Sequence, residues 1–100
     1  MAEVRKTEWS LEAQTNLNSI VTYLENEWTE KEVRHFSERL EEQLSILSRT
    51  PEVYKKSLRK ASLRECQITP HNTLFYSHDD ERLYIAMIFD NRQDPDKLNL

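Results

Sequence analysis

The sequence predicts a small single α+β domain: one short strand, a helical hairpin, then a three-stranded meander, in the order β-α-α-β-β-β, with the hairpin packed on a largely antiparallel sheet. Apolar residues recur at steps of three and four through the first half, the period of a helix with one buried face. Short runs of branched and aromatic residues, broken by Pro, Asn and Asp, fill the second half, which is the pattern of strands and turns. The most apolar run, Leu83-Tyr84-Ile85-Ala86-Met87-Ile88-Phe89, is nearly continuous and reads as a strand buried on both faces in mid-sheet. With 100 residues, the chain makes one domain, 1–100, burying roughly 65% of its unfolded surface.

Val4, with alternating neighbours through Glu8, starts a short first strand. Ser10 offers an N-cap, and Ala13, Leu17, Ile20, Val21, Leu24 and Trp28 follow on one helical face, placing the first helix at about 10–27. Thr29 and Glu32 fit a capping box. The second helix opens there with the stripe Val33, Phe36, Leu40, Leu44 and Leu47, and Thr50-Pro51 stops it. Strands are expected at about 61–69, 73–79 and 82–90, with breaks at Pro70-His71-Asn72 and Asp79-Asp80-Glu81.

If both strand turns are two-residue hairpins, Leu74, Tyr76, Leu83, Ile85, Met87 and Phe89 share the face under the helices. Cys66, Ile68, Phe75, Ala86 and Ile88 then form a second face, too apolar for solvent alone and suited to another chain. A one-residue slip exchanges the faces.

Residues 1–52 hold 6 basic and 11 acidic side chains, a balance of −5, whereas residues 53–100 hold 8 and 7, a balance of +1. The total of −4 argues against general nucleic-acid affinity. Lys55, Lys56, Arg59, Lys60 and Arg64 concentrate the positive charge, as a solvated connector or a patch for an acidic partner. The single Cys66 excludes an internal disulfide, and no leader or long apolar run is visible, so a cytoplasmic protein without a membrane span is expected. Glycine is absent, so turns must use Asn or Asp where positive φ is needed or avoid it altogether, and Gly-rich phosphate cradles are excluded.

His35, His71, His78 and Cys66 lack the spacing of a zinc site, and no metal or cofactor is expected. His78 falls opposite Glu65 in the assumed register, as a cross-strand polar pair. Phe36, Trp28 and Tyr76 sit at core spacing, leaving Trp9 and Tyr84 as free aromatic contact residues. With Arg64 level with Arg82, Arg92 lies roughly 30 Å away along the strand. The two do not clamp one phosphate.

Several short pieces share an order and spacing with a known group. They are Glu8-Trp9-Ser10-Leu11-Glu12-Ala13, Ile20-Val21-Thr22-Tyr23-Leu24, Phe36 with Leu40, Pro51, Leu63-Arg64, His71-Asn72-Thr73-Leu74-Phe75-Tyr76, and Ile88-Phe89-Asp90-Asn91-Arg92-Gln93-Asp94-Pro95. Over nearly its whole length the chain resembles toxins of the RelE/ParE superfamily from bacterial type II toxin–antitoxin pairs. The resemblance implies the same order of elements and two classes of activity. RelE-like members cut messenger RNA in the ribosome; ParE-like members bind DNA gyrase.

Of the four basic positions that the ribonuclease pattern uses, Arg64 and Arg92 match two by position. Cys66 and Thr73 occupy the others, and no Tyr or His follows Tyr84. Loss of a general acid or base forfeits about 10² to 10⁴ in rate, and the net charge disfavours docking among ribosomal phosphates. The resemblance therefore implies a ParE-like toxin that inhibits gyrase by contact and is neutralised by a cognate antitoxin, with Trp9, Arg64, Asp90, Asn91, Arg92 and Gln93 as partner contacts. Its alternative is an endoribonuclease acting on ribosome-bound messenger with Arg64 and Arg92, and with Lys60, His71 or Tyr84 as acid and base. A non-toxic binding module on the same fold is a third reading.

Overall fold

A computed structural model describes residues 4–92. Strand β1 (Lys6–Trp9) leads into helices α1 (Leu11–Glu27) and α2 (Glu30–Arg49), and a 3₁₀ turn (Pro51–Val53) and a loop precede β2 (Arg64–Thr69), β3 (Asn72–His78) and β4 (Arg82–Asp90). The sheet order is β1-β4-β3-β2. Among the described residues only β1 pairs in parallel, on β4, so the sheet is mixed and the apolar β4 run does lie in mid-sheet. β1 begins two residues later than Val4, and β2 starts at Arg64 rather than near 61.

Ser10 caps α1 as expected, its Oγ accepting from the Ala13 N–H at 2.9 Å. Trp28 lies just beyond the helix and is 54% exposed, so its helical spacing does not bring it into the core. Thr29 occupies the N-cap of α2 without a side-chain cap bond. The Glu32 N–H that its hydroxyl would need donates instead to the Thr29 carbonyl, at 3.0 Å, so the capping box does not form. Pro51, which lacks an N–H, ends α2 and opens the 3₁₀ turn. Among the described residues none has a positive φ, so the turns avoid that region instead of using Asn or Asp in it.

Ala13, Phe36, Leu40 and Leu47 from the helices pack on Cys66, Ile68, Leu74, Tyr76, Leu83, Ile85 and Ile88 from the sheet. Four of the six residues expected on this face are there. Met87 and Phe89 give way to Ile88, and Cys66 and Ile68 join it. Two register features cause the exchange. In the first hairpin Cys66 pairs with Leu74 and Arg64 with Tyr76, an offset of three residues from the assumed register, and an odd offset turns every side chain over. In the second, His78 to Tyr76 pair with Leu83 to Ile85 as assumed, but Phe75 then pairs with Met87. Ala86 is the extra residue of a β-bulge.

The start of α1 takes up the backbone groups around that bulge. Ser10 Oγ donates to the Ala86 carbonyl at 2.6 Å, the Ser10 N–H donates to Ile85 O at 3.0 Å, and Asn16 Oδ1 accepts from the Ile88 N–H at 3.1 Å. The second face now carries Phe75 and Met87, only 2% and 5% exposed. It is therefore not the open apolar surface that the assumed register implied. The expected His78–Glu65 pair is also absent: Glu65 lies opposite Phe75, and His78 pairs with Leu83 while its Nε2 stands 4.0 Å from Glu52.

Candidate functional site

The end of β4 closes on itself. Arg92 grips Asp90 with a fork, Nε to Oδ1 at 3.0 Å and Nη2 to Oδ2 at 2.9 Å, and its own N–H donates to Oδ1 at 2.9 Å. This charge-assisted pair holds the Asp90 carboxyl below its ordinary range, against partial burial, and holds Arg92 above its own. The guanidinium lies over the Tyr23 ring of α1, 5.3 Å from its centroid, within cation–π range. Asn91 ties this turn to the β2–β3 turn: its N–H donates to His71 O at 2.7 Å and its Oδ1 accepts from Thr73 Oγ1 at 2.9 Å.

A groove of about 520 Å³ opens beside this cluster. One wall is α1 with the first turns of α2, and the other is the β2–β3 turn with the end of β4. Ile20, Leu24, Trp28, Phe36 and Ile88 supply apolar surface, while Glu12, Glu32, His35, His71, Asp90 and Arg92 supply charge or titratable groups. Such a lining suits an amphipathic segment.

Of the residues singled out in the sequence, the structure brings together His71, Asp90, Asn91 and Arg92. It sets the others apart. Arg64 donates through Nη1 to the Tyr54 carbonyl at 2.7 Å. It is level with Tyr76 and, through β3, with Ile85 rather than Arg82, which leaves Arg92 about 23 Å further along the strand. The separation is shorter than the assumed register gave but still prevents a shared phosphate. Lys60 is exposed on the loop before β2, and His71 is exposed beyond its other end. Tyr84 lies near the β3–β4 turn, its hydroxyl donating to Asp79 Oδ2 at 3.1 Å, so it is not a free contact residue. Trp9 is half-buried against the core, which likewise removes it from the free aromatics. Gln93 lies outside the described residues.

A second polar cluster underlies the loop before β2. Tyr54 Oη donates to Gln43 Oε1 at 2.7 Å, the Cys66 thiol sits 3.4 Å from the same oxygen, and Tyr76 Oη donates to the Pro51 carbonyl at 2.6 Å. Burial pushes the Cys66 thiol up to about 11, so it is inert at neutral pH. Sequence reasoning missed Gln43 and Tyr23. Gln43 lies between Leu40 and Leu44 on the core side of α2, a hint of burial, whereas nothing local links Tyr23 to Arg92.

Among the described residues no three His, Cys, Asp or Glu side chains converge as a metal site, and no helix is long and apolar enough to cross a membrane. A family model described as the ParE toxin of type II toxin–antitoxin system, parDE, matches residues 7–95. No curated protein sequence matches the chain. Among solved structures the chain is similar to the chromosomal ParDE system of P. aeruginosa, with a TM-score of 0.71 and 11% identity over 87% of this chain and 96% of that one. It is also similar to YafQ from E. coli strain BL21(DE3), with a TM-score of 0.58 and 15% identity over 88% and 94%. Both likenesses concern the fold. Since the family match runs through every element from β1 to the end of β4, the chain belongs to the ParE toxins of type II toxin–antitoxin systems.

Proposed function

We propose that this ParE-type toxin acts in the cytoplasm by binding DNA gyrase, and that its cognate antitoxin neutralises it by laying an amphipathic segment in the groove beside Arg92. The placement of its two ribonuclease-matching cations carries the reading. General acid–base chemistry needs its groups within about 3 Å of the reacting atoms. Arg64 and Arg92 lie about 23 Å apart along the strand direction, each engaged by an internal acceptor, and of Lys60, His71 and Tyr84 only His71 lies in the groove with Arg92. A binding mechanism needs no such gathering. The groove supports the antitoxin half: its apolar walls and charged rim fit a chain that folds on binding. Asp90, Asn91 and Arg92 lie at its edge and would contribute contacts.

The test is labelled-methionine incorporation in the minutes after induction without antitoxin, beside supercoiling by purified gyrase. Continued protein synthesis in filamenting cells, with supercoiling blocked in vitro, is the expected result. A prompt collapse of incorporation with cleaved transcripts would replace the reading by the ribonuclease one. Unimpaired growth would make the chain a binding module.

A further inference from the structure

Between Tyr54, which packs against the core, and β2 the chain makes a loop that does not line the groove. Its first part adds to the edge of β2, through a bridge between Lys56 and Arg64 and a bond from the Glu65 N–H to the Lys55 carbonyl. Ser57 then locks it. This residue is 4% exposed; its Oγ donates to Glu65 Oε2 at 2.6 Å and accepts from the Arg59 N–H at 3.1 Å. The Ser57 N–H donates to Leu63 O at 2.7 Å, and the Leu63 N–H donates back to Lys60 O at 2.9 Å. Leu58 stands at the tip, 103% exposed, among the exposed Lys55, Lys56, Arg59 and Lys60.

An exposed leucine alone says little. Here the backbone around it is closed by hydrogen bonds, so the side chain is presented outward and the ordering cost of the loop is met before any partner arrives. An apolar anchor ringed by cations has the anatomy of a protein interface. Nucleic-acid phosphates would reward the cations but not the leucine, and the chain's overall charge of −4 opposes a long polyanion. Charge complementarity asks for an acidic face. The loop enters β2 at its start, whereas the groove lies at its end, roughly 20 Å away. The two surfaces can therefore serve different partners.

We infer that the Lys55–Lys60 loop is the surface by which the toxin grips its target, docking Leu58 in an apolar recess of an acidic face on gyrase. This rests on the gyrase reading above. The decisive comparison is inhibition of supercoiling by purified wild-type toxin, Leu58→Ser, the double variant Arg59→Glu/Lys60→Glu, and Arg34→Glu as an exposed cation elsewhere. If the inference holds, each loop variant needs about 30-fold more protein than wild type, Arg34→Glu does not, and all retain wild-type melting and antitoxin binding. Equal inhibition by all four overturns the loop's role while leaving the gyrase reading intact. A wild-type chain that spares gyrase yet kills cells overturns both. Retention of linear duplex DNA by the toxin alone, lost in the loop variants, would make the surface a nucleic-acid one and overturn the protein partner.

Discussion

Replacing Tyr76 with Phe removes one oxygen from beneath the basic loop and little else. The ring is fully buried and Phe fills the same space, so no large cavity opens. What changes is the carbonyl of buried Pro51, which accepts the Tyr76 hydroxyl at 2.6 Å and would be left without that donor. An orphaned buried acceptor costs about 1–3 kcal/mol, a sizeable part of a small domain's stability of about 5–15 kcal/mol. At about 4–8 °C per kcal/mol for a domain of this size, a central 2 kcal/mol lowers Tm by about 8–16 °C. Circular dichroism melts of the purified toxin measure it.

The same variant carries an alkaline signature. Burial holds the Tyr76 phenol above its ordinary 10, so the fold keeps it neutral where the unfolded chain ionises. Its contribution is complete below pH 10 and falls as pH rises further; Tyr76→Phe should lose that part of the slope. A Tm within about 2 °C of wild type, together with an unchanged alkaline slope, would refute the account of this hydrogen bond.

Cys66, raised from 9.0 to about 11, contributes stability that is complete below pH 9 and lost between 9 and about 11; Cys66→Ala should flatten that interval in pH-dependent melts. Arg92→Ala removes a partly exposed pair worth under about 1 kcal/mol. Because Asp90's carboxyl is held below its ordinary 3.8, the loss should be complete above that pH and vanish as pH falls below it through the lowered folded value, and lost toxicity with a near-wild-type Tm would mark Arg92 as a partner contact. Ser10→Ala forfeits both the α1 cap and the bond to Ala86, about 1–2 kcal/mol together. Ser10→Asp, which keeps only the cap, should recover about half of it in urea titrations.

The site was legible only in its local parts. Asp90, Asn91 and Arg92 are close neighbours in the chain, and an acid and a base two residues apart at a strand end suggest the pair that forms. Tyr23 beneath Arg92 and His71 beside Asn91 were not legible as partners, because they meet through the packing of α1 and β3 around β4. The Arg64–Arg92 separation was overestimated because it depends on strand register, which no residue announces by itself.

Local pattern was enough to set the order of elements, the helix ends at Ser10 and Pro51, and the mid-sheet place of β4. Each depends on contacts within a few residues or on the burial demanded by an unbroken apolar run. Tertiary structure decided which side chains face the helices. Side-chain direction alternates with period two, so the three-residue offset in the first hairpin and the single inserted Ala86 in the second reversed the assignment for Cys66, Ile68 and Ile88. Around the bulge, the backbone groups of Ala86 and Ile88 bond to Ser10 and Asn16, more than seventy residues earlier. Local pattern cannot report a partner at that distance; only the folded arrangement brings the two together.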